Sequence, residues 1–322
     1  PDFRFNLEEI AGAVGDYGTL IPIILGVAIV SKVNIGYILL PFSFWYIITG
    51  IYYRLPVPVE PMKAVGAIVI AEGLTPPEIA GSGLLLGIFF LTLGLCGGMR
   101  IIGKMVPYSV IRGIQLGLAL ILFKTSLGFL VQDFALSSIS VAIIAFFFIA
   151  SRYKKIPDIS AFVVLFFGIF VGIMHYGCPP VKLLPLPQMI IPDIDNLWSG
   201  LWSLTMPQIP LTITNAILAT ALLMKDLLKR DLDTDKLSIT IGLMNLTSVP
   251  FGGFPMCTGA GGLAAQYRFG ARTGGSNIIS GIILLPIAFF FADPAWISIF
   301  PVSVFGALLL FVSLELGKHG IK

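Results

Sequence analysis

Long apolar runs separated by short polar breaks are the feature that most constrains how this chain folds. Several runs extend over about 20 residues, the length that a helix needs to cross the hydrocarbon core of a bilayer. In lipid, backbone N–H and C=O groups must be bonded within the protein, so such runs are expected to be helical. Of the 322 residues, 57% are hydrophobic and only 11% are charged, against about 25% in soluble domains. We therefore expect an integral, multi-pass membrane protein.

The runs predict about 12 membrane spans in an all-α polytopic fold. The predicted spans are residues 8–30, 34–53, 61–73, 78–96, 107–123, 134–151, 159–176, 199–224, 236–249, 257–269, 276–291 and 295–314. Residues 61–73 and 257–269 are too short to cross as helices alone. We expect each of these two to be a half-helix preceded by a short extended segment.

Loop charge predicts the orientation. With the N terminus in the cytoplasm, most lysines and arginines fall in cytoplasmic loops, whereas the opposite loops hold only Lys32, Lys124 and Lys182. Such an excess of positive charge marks the cytoplasmic side of membrane proteins. The expected location is the cell (plasma) membrane.

The two short segments indicate an internal repeat. "VPVEPMKAVGA" contains Pro61, and "FGGFPMCTGAGG" contains Pro255; the stretches "GDYGTLIPI" and "MPQIPLTITNA" precede them at similar spacing. The first copy begins inside and the second begins outside after seven spans, so the repeats are inverted. We expect residues 1–176 to form one repeat, 177–198 an extracytoplasmic linker and 199–322 the other. Paired interrupted segments in inverted repeats point to the binding site of a transporter.

The residues of the two short segments favour an anion. Proline suits the first turn of a helix, so we expect a helix to begin near Pro61, halfway across the membrane. Its free N–H groups and dipole would attract an anion, and Lys63 adds a full positive charge. The second segment, from Cys257 to Gly261, would point a helix N-terminus at the same depth from the other side. These features predict an oxyanion site.

Four motifs resemble signatures of the molybdate transporter family, which is related to the sulfate permeases (SulP) and shares the uracil-permease-like fold. They are "GDYGTLIP", "PVEPMKA", "PQIPLTITNA" and "MNLTSVPFGGFPMCTGAGGLAAQYRFGARTG". The resemblance implies a secondary active transporter of a tetrahedral oxyanion, with molybdate favoured over sulfate, coupled to protons or another cation. A core domain (spans 1–4 and 8–11) would move against a gate domain (spans 5–7 and 12 onward). The related fold has fourteen spans, so two gate spans would be missing or lie beyond Lys322.

The resemblance also supplies candidate site residues. The chain departs from the family pattern at Glu60, where glutamine usually precedes the PMK motif, and at Thr258, where histidine usually follows PMC. Asp16 and Glu60 are the candidate coupling residues. The candidate substrate-binding residues are Asp16, Tyr17, Thr19, Met62, Lys63, Gln208, Thr212, Asn215, Cys257, Thr258, Gly259 and Ala260.

Several of these residues have a structural alternative. A lysine inside a membrane segment is expected to have a functional role. Lys63 could instead form a structural ion pair with Glu60, one turn earlier. Asp16 could be a helix N-cap rather than a coupling group.

Similar alternatives apply to the second repeat. Gln208, Thr212 and Asn215 could form hydrogen bonds between helices, and Cys257 and Thr258 could serve as small residues at a packing interface.

Motif and charge considerations exclude other functions. HExxH, GxSxG and Walker A motifs are absent from the sequence, so we expect neither an enzyme nor direct ATP drive. No cofactor and no metal site is predicted. The expected partners are a small inorganic oxyanion and the lipid bilayer, a homodimer is left open, and the net charge of +3 does not suggest nucleic acid. The alternatives are an anion channel on the same fold, or a transporter of sulfate or of a nucleobase.

Overall fold

The computed structural model describes residues 3–102, 107–154, 159–291 and 293–321, which are mostly helical. The helices and strands are α1 Leu7–Val14, α2 Tyr17–Ser31, α3 Ile35–Tyr53, β1 Glu60–Pro61, α4 Lys63–Glu72, α5 Pro76–Leu95, α6 Met99–Ile102, α7 Tyr108–Leu130, α8 Phe134–Lys154, α9 Ser160–Tyr176, α10 Ile194–Gly200, α11 Met206–Leu211, α12 Thr220–Leu228, α13 Thr234–Ser248, β2 Met256–Cys257, α14 Ala260–Phe269, α15 Gly275–Phe290, α16 Pro294–Ser298 and α17 Val302–Ile321.

The two short predicted spans are half-helices, each with an extended approach. Strand β1 precedes α4, strand β2 precedes α14, and the two strands pair antiparallel. Beyond the strand pair, the backbone N–H of Met62 donates to the carbonyl of Pro255 at 2.9 Å. Pairing holds the chain extended through Met62, so α4 begins at Lys63. The prediction that a helix begins near Pro61 is confirmed, although its start lies two residues later because Pro61 itself belongs to the strand.

The side chain of Asn245, on α13, completes the bonding of β2. Its Nδ2 donates to the carbonyl of Met256 at 2.8 Å, and the N–H of Met256 donates to its Oδ1 at 3.0 Å. Backbone N–H and C=O groups inside a membrane protein need hydrogen-bond partners from the protein itself. The buried Asn245 side chain provides these partners for the backbone groups of Met256.

The eighth predicted span begins earlier than expected and is irregular. Helix α10 starts at Ile194, inside the predicted linker 177–198, because Asp193 caps it: the N–H of Asn196 donates to Asp193 Oδ1 at 2.8 Å. Two π-helical segments, Leu201–Thr205 and Thr212–Ala219, interrupt the helical run that continues to Leu228. Such widened turns are frequent at functional sites.

Two other predicted spans are divided. Residues 8–30 correspond to α1 and α2, which are separated by Gly15 and Asp16. Asp16 is the N-cap residue of α2, but its side chain does not cap the helix and is available for other contacts. Residues 295–314 correspond to the short α16 followed by α17.

The helices pack in two groups. Helix α17 packs along α7 and also contacts α8 and α9, while α3 packs on α15 and α5 on α13. Helix α2 contacts α4 on one side and α17 and α9 on another, and α4 also contacts α7. The half-helix α4 therefore lies where the two groups meet.

Within the described residues, five helical runs are long and apolar enough to cross a membrane. They are Leu7–Ser31, Ile35–Tyr53, Pro76–Leu95, Arg112–Leu130 and Ile194–Leu228. Shorter apolar helices include Ser160–Tyr176 and Gly275–Phe290. These runs agree with an integral membrane protein, while the total of twelve spans stays a prediction.

Glu9, in the first turn of α1, joins that helix to the start of α15. Its carboxylate is 1% exposed and accepts hydrogen bonds from the backbone N–H groups of Arg272 (3.1 Å), Thr273 (2.9 Å) and Ser276 (3.2 Å) and from the Thr273 hydroxyl (3.0 Å). A negative charge at these N–H groups also complements the dipole at the start of α15.

Replacing Glu9 should therefore destabilise the fold. We expect Glu9→Ala to lower the free energy of unfolding by about 1–3 kcal/mol, because it leaves buried N–H groups without acceptors. The neighbouring Glu8 is exposed, so Glu8→Ala, which removes the same charge, should change stability by less than about 0.5 kcal/mol. Unfolding of the purified proteins in detergent tests this, and equal effects of the two substitutions would contradict it.

Candidate functional site

A cavity of about 380 Å³ lies where α4, α14, the second π-helical segment and α7 meet. A water molecule occupies about 30 Å³ of the liquid, so the cavity has room for a small ion with several waters. Its lining residues are Glu60, Lys63, Gln115, Gln208, Leu211, Asn215, Ala216, Ala219, Leu223, Cys257, Thr258, Ala260, Gly261 and Ala264.

Lys63 and Glu60 form an ion pair at the wall of this cavity. Lys63 Nζ is 2.7 Å from Glu60 Oε2, and the side chains are 21% and 1% exposed, respectively. Lys63 thus forms the ion pair with Glu60 that was its structural alternative. It also lies beside a cavity, as the binding hypothesis requires. Glu60 Oε1 accepts a hydrogen bond of 2.6 Å from the backbone N–H of Gly262, in the first turn of α14. Glu60 therefore joins the two half-helices.

Gln208 occupies the N-terminus of α4. Its Oε1 accepts from the backbone N–H groups of Ala64 (2.9 Å) and Val65 (3.3 Å), and its Nε2 donates to Thr212 Oγ1 at 2.8 Å. Thr212 is fully buried and orients the amide. Here the helix end that was predicted to face an anion is satisfied by a neutral side chain, and the predicted bonding between helices is also realised.

Asp16 lies behind the cavity wall rather than in it. Its Oδ1 accepts from Thr19 Oγ1 at 2.9 Å and its Oδ2 accepts from the Tyr46 hydroxyl at 3.2 Å. A methyl group at Gly262 would overlap the carboxylates of both Asp16 and Glu60. The two acids therefore approach each other across a position that only glycine leaves open.

The second half-helix, α14, begins at Ala260 and not at Cys257 as predicted, because Cys257 belongs to strand β2. Cys257, Thr258 and Ala260 all line the cavity. The Thr258 hydroxyl donates to the carbonyl of Ala216 at 2.5 Å, so it ties β2 to the π-helical segment. Gly259 is the N-cap residue of α14.

The other residues that were predicted to bind substrate differ in whether they line the cavity. Asn215 lines the cavity, whereas Met62 is fully buried at the start of α4. The hydroxyl of Tyr17 donates to the carbonyl of Ser280 at 3.0 Å and its ring packs on Phe162, and this side chain does not line the cavity.

Gln115, on α7, is a lining residue that sequence reasoning missed. It lies on α7, the helix along which α17 packs, and lines the same cavity as Lys63. A signal was available: Gln115 stands in the apolar stretch "IQLGLALILF", and polar side chains inside membrane segments usually face a partner or a cavity. The apolar lining residues, such as Leu211 and Leu223, carry no comparable signal.

Comparison with known proteins identifies sequence relatives. The family model described as "Molybdate transporter of MFS superfamily" matches residues 8–122 and 200–316. Molybdate transporter 1 and Molybdate transporter 2 of Arabidopsis thaliana are each 31% identical to this chain, over 98% and 96% of it and over 80% and 78% of their own lengths. Molybdate transporter 1 of Chlamydomonas reinhardtii is 23% identical over 98% of the chain and 84% of its own length.

Solved structures share the fold. The transmembrane domain of the cyanobacterial bicarbonate transporter BicA superposes with a TM-score of 0.75 at 20% identity, covering 98% of this chain and 90% of that one. SLC26A9 superposes with a TM-score of 0.72 at 13% identity, covering 97% of this chain and 58% of that one. The fold is therefore that of the SLC26 and SulP membrane domains.

The crowding at Gly262 can be tested against its neighbour. Gly262→Ala should displace the Glu60 carboxylate and lower the melting temperature, whereas a methyl group at Gly261 would lie 3.7 Å from Lys63 Nζ, an ordinary contact. Replacing glycine by alanine favours the helix by about 1 kcal/mol at either position. The difference in stability between the two variants therefore measures the clash of the methyl group added at Gly262 with the two carboxylates. Thermal unfolding in detergent measures it. If Gly262→Ala is as stable as Gly261→Ala, the described packing is wrong.

Proposed function

Because this chain belongs to the molybdate transporter family, we propose that it is a secondary active transporter of a tetrahedral oxyanion, with molybdate as the favoured substrate and sulfate as the second. The observation that carries this proposal is a cavity into which Lys63 projects at the N-terminal ends of two half-helices. Helix N-termini and a lysine together attract a compact anion.

The lining offers donors of the kind an oxyanion needs. In this proposal Lys63 supplies the charge, and the amides of Gln115 and Asn215, which also line the cavity, supply hydrogen bonds. Ala260 carries only a methyl group and Gly261 has no side chain, which would allow the substrate to approach the backbone of α14 closely. Molybdate, tungstate and sulfate carry the same charge, so selectivity among them would depend on the spacing of these donors.

Alternating access would arise from movement between the two groups of helices. In this proposal α7, α8, α9 and α17 form the gate, the remaining membrane helices form the core, and the N terminus is cytoplasmic. The core carries Lys63 and the gate carries Gln115, so the substrate contacts both. Relative movement of the inverted repeats, residues 1–176 and 199–322, would open the cavity to one side and then to the other.

Charge balance favours coupling to protons or another cation. Lys63 faces two acids, Glu60 and Asp16, so a bound dianion would add to a site that already holds more negative than positive charge when both acids are ionised. Uncompensated charge away from water costs several kcal/mol. A co-transported proton on either acid would offset part of that cost, which makes Asp16 and Glu60 the candidate coupling groups.

Binding competition tests the substrate class. Purified protein should bind molybdate, and tungstate and sulfate should compete whereas uracil should not. Lys63→Ala should weaken binding at least about 30-fold while the protein still folds, because the substrate loses its charged partner. Lys182→Ala removes an exposed lysine that is paired with Asp293 and should bind like the unmodified protein. Displacement by uracil alone would refute the anion assignment.

Transport assays separate a transporter from a channel. In proteoliposomes, uptake of labelled molybdate should saturate with concentration and should collapse when the proton gradient is dissipated, because each cycle carries a limited number of ions. Steady single-channel currents that do not depend on the gradient would favour the anion channel instead.

A further inference from the structure

Glu60 already occupies the donors that an anion would use. One carboxylate oxygen is 2.7 Å from Lys63 Nζ and the other is 2.6 Å from the backbone nitrogen of Gly262 at the start of α14. The side chain is 1% exposed and lines the cavity. A carboxylate at a lysine and a helix N-terminus has the same contacts that a bound oxyanion would make there.

The other half-helix is occupied in a different way. The N–H groups at the start of α4 are satisfied by the amide of Gln208, which carries no charge. An incoming anion therefore meets one charged competitor and one neutral one. Only the carboxylate would repel the substrate, and only the carboxylate can be switched off by a proton.

We propose that Glu60 is a resident anion that holds the substrate position, and that the oxyanion binds Lys63 and the start of α14 once Glu60 has taken up a proton. This inference rests on the proposed oxyanion transport and specifies how the same site is regulated. Protonated Glu60 no longer neutralises Lys63, so the ammonium group becomes available to the substrate.

The groups around Glu60 determine how its protonation would change the net charge of the site. Lys63 on α4, Asp16 between α1 and α2, Tyr46 on α3 and Cys257 on β2 all interact with it. In this set Lys63 is the cation, and Asp16 remains as a second acid. When Asp16 is ionised, protonation of Glu60 leaves the site with one positive and one negative charge before the dianion enters.

A purely structural ion pair makes the opposite prediction. If Glu60 only holds Lys63 in place, then Glu60→Gln should loosen Lys63 and weaken anion binding at every pH. If Glu60 is a competitor, Glu60→Gln keeps the shape of the side chain and mimics its protonated form, so binding should strengthen at neutral pH.

The test is calorimetric binding of molybdate and of sulfate to the purified full chain from about pH 5 to about pH 8. Sulfate is included because its charge does not change over this range. The proteins compared are the unmodified chain, Glu60→Gln, and Asp16→Asn, which removes the other acid but leaves the competitor. Each titration is repeated in two buffers of different ionisation enthalpy, which counts the protons taken up with the anion.

We expect the affinity of the unmodified chain to rise about tenfold for each unit by which the pH falls, with about one proton taken up per anion. Glu60→Gln should bind at pH 8 at least as tightly as the unmodified chain binds at pH 5 and should lose most of this dependence, whereas Asp16→Asn should keep it. The proton count of the unmodified chain tests the inference even if a variant does not fold.

Three results would overturn the inference. Anion binding without proton uptake would remove it while leaving the proposed function intact. Weaker binding of folded Glu60→Gln at every pH would show that the ion pair is structural. If neither oxyanion binds the unmodified chain at any pH, the proposed function fails and this inference fails with it.

Discussion

Antiparallel pairing of β1 with β2 is the contact on which the site depends. Two extended segments cannot remain within a bilayer unless their backbone groups are bonded by protein. Here each segment bonds the other, with Glu60 opposite Cys257 and Pro61 opposite Met256, and Asn245 serves the remaining groups of β2. Because the pair is antiparallel and only two residues long, α4 and α14 start just beyond its opposite ends. The electropositive ends of both helices therefore lie at one cavity.

The charges of the site form one connected set. Lys63 next to Glu60, and Glu60 next to the start of α14, compensate one another in surroundings where isolated charges are expensive. Asp16 receives hydrogen bonds from Thr19 and Tyr46, and Gly262 leaves the space in which the two acids meet. The helix ends that attract an anion are thus already satisfied by side chains of the protein, so a substrate has to replace or supplement these contacts.

The site was predictable in part because it lies on two repeated, interrupted segments. Lys63, Cys257, Thr258 and Ala260 follow the breaks directly, so finding the breaks was enough to bring them together. The role of Gln208 as a cap of α4 was not foreseen. It depends on how two segments distant in sequence approach each other.

The sequence alone was sufficient to predict the properties that depend on residues close together in the chain. Hydropathy established the membrane class, and the prolines and glycines around residues 61 and 255 marked the broken helices, because these effects act over one or two turns. The start of α4 at Lys63, the capping by Gln208, the contact of Glu60 with Gly262 and the position of Gln115 in the cavity wall were decided by packing. Each joins segments that lie far apart in sequence, and the geometry of such contacts depends on how all the helices fit together rather than on any local pattern.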